Sequence, residues 1–191
     1  MEVKMDTFLI IIALVIVLIV GAVLGWLFFG KRRTKHLRSQ FGPEYEYMVD
    51  KTADQRQAEA ELEQRQKRFQ DLDIRPLTPE QYAHFKSEWQ LTQALFVDDP
   101  AEAVAEADLL ITEVMETQGY PVSDFEQQAA DLSVGHAQVV ANYRIAHDIA
   151  IAHKRGEATT EDLREAMVYY RSLFEELLDT RAFDKPEKEL I

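Results

Sequence analysis

Residues 134–155 read VGHAQVVANYRIAHDIAIAHKR, and Gly156 follows. On a helix drawn through this stretch, Val139, Val140, Tyr143, Ile145, Ala146, Ile149, Ala150, Ile151 and Ala152 cover nearly the whole circumference. A helix apolar on every side belongs at the centre of a fold, because neighbours must cover all of it. Within it stand Asn142, Arg144, His147 and Asp148. Tyr143 and His147 are four apart, as are Arg144 and Asp148, so each pair shares a face. Polar groups on a central helix need partners. Acids on neighbouring helices are the expected partners of this buried cluster; a ligand pocket around Arg144 and His147 is the alternative.

Outward from this helix the punctuation is consistently helical. Thr78, Pro79 and Gln81 make a capping box with proline at the first helical position, and Asp99, Pro100 and Glu102 repeat the pattern. The first of these helices lines up Tyr82, Phe85, Trp89, Thr92 and Phe96; the second buries Val104, Ala107, Ile111 and Val114 and stops at Gly119. Ser123 and Glu126 begin a short helix ending near Asp131, and Ser133 or Asp131 is placed to cap the central helix. The last helix starts at Thr159 with Asp162 closing the box, and presents Leu163, Ala166, Met167, Tyr170, Phe174 and Leu177. No stretch alternates with period two for long enough to be a strand. The expected fold is all-α, with a five- to six-helix bundle over residues 76–180 and a flexible tail over 181–191.

Residues 44–72 read as one polar helix. Ala58, Leu62, Phe69 and Leu72, with Arg65 between them, form a coiled-coil-like stripe of two heptads. Together with the preceding basic residues this gives a collar and charged stalk over 31–75. The 22 residues from Phe8 to Phe29 carry no charge, enough helix to cross a hydrocarbon core of roughly 30 Å. They end in Trp26, Leu27, Phe28 and Phe29, where a cleaved secretory signal would need small residues. Residues 1–30 are therefore read as a short tail and a retained transmembrane anchor. Lys31, Arg32, Arg33, Lys35 and Arg38 follow it with no acid among them, which orients the C-terminal domain to the cytoplasmic side of the inner (plasma) membrane. Trp26 sits where an interfacial aromatic belongs, and the collar can also attract anionic lipids of the bilayer. Gly21 and Gly25, four apart, have the spacing that lets two membrane helices approach closely, so a homodimer is one reading; such glycines are also common in solitary membrane helices.

Residues 39–191 hold 32 acids and 15 Lys or Arg. So acidic a surface repels phosphate backbones, which argues against nucleic acid as a partner. The absence of cysteine removes disulfides, zinc–thiolate sites and cysteine nucleophiles from consideration. His84, His136, His147 and His153 lack metal-binding spacing, and neither E-x-x-H nor H-E-x-x-H occurs, so no metal or cofactor is expected. Asp131, Ser133 and His136 are close in sequence, but triads assemble across space, and a capping role explains the first two better. Glu102, Glu106, Glu113, Glu175 and Glu176 follow solvated helix faces.

The segments FGPEYE, FVDDPAEAVAEAD, VMETQGYP, DLSVGHAQVVANYRIAH and TTEDLREAMVYYRSLFEELL together resemble a bacterial family of membrane-anchored proteins usually labelled hypothetical or "secreted". The resemblance spans about residues 41–178. It implies a helical domain on a single anchor and supplies no activity to carry over, and the "secreted" label conflicts with the orientation derived from the collar. With no catalytic signature present, the expected function is a membrane-anchored interaction or scaffold domain that holds another protein near the bilayer. The alternative is a small-ligand sensor or enzyme.

Overall fold

The computed structural model describes residues 32–179. Residues 32–41 are helical and carry Arg32, Arg33, Lys35 and Arg38 on exposed positions. Seven helices follow: α1 (Pro43–Thr52), α2 (Gln55–Gln70), α3 (Pro79–Leu95), α4 (Pro100–Gln118), α5 (Phe125–Gly135), α6 (Ala137–Lys154) and α7 (Thr160–Leu178). Among the described residues the chain is all-helical, without a strand. It divides after Gln40, and α1 to α7 belong to the unit that begins at Phe41. The expected anchor with Gly21, Gly25 and Trp26, the collar's Lys31, and the tail 181–191 lie outside the described residues. Among those residues no helix is long and apolar enough to cross a membrane.

Helix α6 touches α1, α4, α5 and α7. Its Val140, Tyr143 and Ala146 are fully buried, whereas Ile145 is 43% exposed, so the helix is covered on most of its circumference rather than all of it. One continuous core joins Ile111, Val114 and Met115 of α4 to Val140 and Tyr143 of α6 and Tyr170, Leu173 and Leu177 of α7. Helix α3 packs on α4 from outside, and its Trp89 stacks on Phe174 of α7 with ring centroids 4.6 Å apart.

The capping boxes at Thr78–Gln81 and Thr159–Asp162 form with both reciprocal hydrogen bonds. At α4 Asp99 accepts from the Glu102 N–H, without the return bond. Gly119 ends α4 at φ 98°, and the Tyr120 N–H reaches back to the Met115 carbonyl, which closes the helix end. Two boundaries differ from expectation. Helix α5 is capped by Asp124, one residue after Ser123, and continues past Asp131 to Gly135. Neither Asp131 nor Ser133 therefore caps α6: Ser133 donates to the Ala130 carbonyl of its own helix, and Asp131 accepts from Arg68.

The stalk is the larger correction. Residues 44–72 form two helices, not one. The chain breaks at Ala53, held in the left-handed region at φ 53°, and restarts at Asp54, whose side chain accepts from the Arg56 and Gln57 N–H groups. Helix α1 packs on α6, and α2 packs on α1 and α5. Tyr45, Met48, Ala58 and Leu62 are buried in those contacts. Of the stripe, Ala58 and Leu62, together with Arg65, thus close the domain upon itself, while Phe69 and Leu72 are half-buried.

Candidate functional site

The polar residues singled out on α6 separate into different environments. Arg144 is buried, Asn142 and His147 are half-buried, and Asp148 is exposed. The expected sharing of a face by Arg144 and Asp148 does not bring Asp148 inside, because Arg144 leans toward α1 instead. Its Nη2 donates to Oε1 of Glu44 at 2.9 Å and its Nε to Oε2 at 3.3 Å, while Nη1 donates to Glu126 of α5 at 3.2 Å. The guanidinium also lies over the Tyr47 ring, 4.4 Å from its centroid. Burial opposes the charge on Arg144 more than any single neighbour favours it. The hydrogen bonds and charge of Glu44, with Tyr47 and Glu126, together outweigh that opposition and hold its pKa above the usual arginine value.

Glu44 is the hub. It is 1% exposed and also accepts from Nη1 of Arg65 at 2.8 Å. Arg65 donates from Nη2 to the Met48 thioether at 2.9 Å, and its Nη1 reaches Ser133 at 3.5 Å. Two guanidinium groups and one carboxylate thus tie α1, α2 and α6 together, with α5 joined through Ser133 and Glu126. At the rim, Lys51 meets Glu126 at 2.8 Å. Burial alone would raise the Glu126 pKa, but the Lys51 hydrogen bond and the Arg144 charge lower it overall. A second bridge lies further along α2, where Arg68 donates from Nε and Nη2 to the fully buried Asp131, which also accepts from Gln127.

His147 does not join this network. Its ring stacks on Phe125 at 3.6 Å between centroids with 6° between planes, and Tyr143 donates its hydroxyl hydrogen to Gln128 at 3.1 Å. The two residues have different partners: Arg144 faces carboxylates and His147 an aromatic ring.

A grouping that the sequence did not single out lies near the α5–α6 junction. His136, 5% exposed, has Nε2 3.2 Å from the Tyr120 hydroxyl and Nδ1 3.3 Å from Glu176 of α7. Burial pushes the His136 pKa down, and Glu176 only partly offsets it. Burial and the charge of Asp131 push the Tyr120 hydroxyl well up. Glu176, read from sequence as a solvated acid, is therefore a partner of His136 although its side chain is 46% exposed. The spacings of 16 and 40 residues within this chain of contacts leave no local signal to find it by. A cavity of about 400 Å³ opens beside Tyr120 and His136.

A groove of about 770 Å³ lies between α3 and α7. Trp89 and Phe174 form its floor, with Tyr82, Lys86, Arg171 and Glu175 along its walls. His84, exposed on α3, stands 4.0 Å from Glu88. Among the described residues no group of three or more His, Asp or Glu is placed to hold a metal ion. No protein-family model matches the chain, and no curated protein or solved structure shows significant similarity to it.

Proposed function

We propose that the chain is a single-pass protein of the inner (plasma) membrane whose helical domain lies in the cytoplasm and holds another protein close to the bilayer. The groove between α3 and α7 carries this reading. Its floor is aromatic, its walls mix Lys86 and Arg171 with Glu175, and a surface of this composition suits an amphipathic helix or peptide. The uncharged run from Phe8 to Phe29 and the basic residues 31–38 support the anchor and its direction. Because residues 39–191 are strongly acidic, the partner is expected to be basic, its association steered by charge and weakened by salt. A homodimer through Gly21 and Gly25 is compatible with this role, with Ala58 and Leu62 of the α2 stripe already used inside the domain.

The test places a photoactivatable cross-linking residue at Gln90 in the groove and, as control, at Glu157 in the α6–α7 connection, in cells carrying the full chain. A discrete adduct from Gln90 alone is expected. Its yield should fall as salt rises, and it should survive protease added to intact spheroplasts. Equal adducts from both positions would remove the groove from the reading, and loss of the adduct to external protease would place the domain outside the cytoplasm.

A further inference from the structure

We infer that the cavity beside Tyr120 and His136 is a binding site for a small, largely apolar molecule that carries a hydrogen-bond donor, such as an aromatic N–H or hydroxyl compound. The cavity measures about 400 Å³, within the range of about 300–1,000 Å³ usual for small-molecule sites. Phe69, Gln70, Leu72 and Ile74, from the end of α2 and the connection after it, supply one wall, apolar except for the Gln70 amide; Tyr120, Gly135 and His136 supply the other. The Phe69 and Tyr120 rings stand 6.2 Å apart and tilted, packed on each other as an aromatic pair that offers apolar surface to the cavity.

The polarity of the site follows from the hydrogen-bond chain. An ionised Glu176 can only accept, so Nδ1 of His136 carries the proton that faces it. Burial disfavours the charged ring, and a neutral ring with its proton on Nδ1 leaves Nε2 as an acceptor for the Tyr120 O–H. The remaining capacity of the Tyr120 oxygen is its lone pairs, and these can receive a hydrogen bond but not give one. A donor therefore fits at the Tyr120 oxygen, whereas a carboxylate oxygen placed there would meet only lone pairs. Gly135 keeps the space open: a Cβ there would lie 3.4 Å from the Phe69 ring and 3.9 Å from the Tyr120 oxygen, so a leucine would project into the site.

The experiment uses the full chain in lipid nanodiscs, with glycine-selective nitrogen-15 labelling to follow Gly135 among the seven glycines. Indole, 1-methylindole and benzoate are titrated against free concentrations measured by dialysis. Indole should shift the Gly135 amide saturably. 1-Methylindole, nearly the same shape without the donor, should bind about two- to twelvefold more weakly, the worth of one hydrogen bond, and benzoate should not bind. Gly135→Leu should abolish the indole response of the His136 ring. Equal affinity for the two indoles, or benzoate binding as well as indole, would overturn the inference. So would an indole response that survives the leucine. If the leucine variant melts well below the parent, the comparison of the two indoles on the unaltered chain decides alone.

Discussion

Replacing Arg144 leaves Glu44 with Arg65 still 2.8 Å away, whereas replacing Glu44 deprives two buried guanidinium groups of their shared carboxylate. Breaking a buried pair from one side typically costs about 3–5 kcal/mol, because the remaining charge is stranded. Arg144→Ala should therefore fall near the low end of that range and Glu44→Ala near or above the high end. Arg164→Ala, which removes an exposed pair with Glu161, should cost well under about 1 kcal/mol. Urea denaturation of the three variants checks the order; Arg144→Ala as stable as Arg164→Ala would mean that the network does not hold the domain. Arg144 was legible as a buried residue because it sits on an otherwise apolar helix, and Arg65 offered the same sign between Leu62 and Phe69. Their common partner was not legible, because Glu44 lies 21 residues from one and 100 from the other and looks like any first-turn acid.

Three helix starts follow the expected caps: Thr78, Asp99 and Thr159 start helices as their spacing predicts, whereas Asp124 takes the place expected of Ser123. The break between α1 and α2 was missed because its pivot is Ala53, the strongest helix former, in a conformation that alanine rarely adopts. Asp54 was the available signal, as a cap residue inside an apparently continuous polar run. Two substitutions at helix ends should consequently move in opposite directions. Ala53→Gly relieves a left-handed cost of about 1–2 kcal/mol and adds a chain-entropy cost of about 0.5–1, so a modest rise in melting temperature is expected. Gly119→Ala imposes the left-handed cost and also sets a Cβ 2.4 Å from the Asp73 carbonyl oxygen, so it should lose more than about 2 kcal/mol. Thermal melts of both variants read the result; a fall for Ala53→Gly would show that the turn is not strained.

For the whole molecule, the sequence suggested a bundle over 76–180 standing on a stalk, and the structure places the first two helices inside the domain. A fragment of residues 76–180 would lack Glu44, Arg65 and Arg68, leaving Arg144 without its main partner and Asp131 without its cation. It would also uncover the faces of α5 and α6 that α1 and α2 occupy. A fragment of residues 41–180 should melt cooperatively by circular dichroism, whereas 76–180 should melt broadly or at a much lower temperature. Matching cooperative transitions would mean that α1 and α2 are accessory. The all-helical class was readable because caps and apolar periodicity are local. The domain's extent was not, because it depends on contacts between distant segments.

The hundred-residue reach from Glu44 to Arg144 also sets an order of events during synthesis. Chains grow at roughly 5–20 residues per second, so α1 leaves the ribosome about 5–20 s before the residue that completes its surroundings. Throughout that interval Glu44 has at most Arg65 to answer it, and the apolar face of α1 has no α6 to cover it. Closure of the domain is therefore one of the last steps of its production.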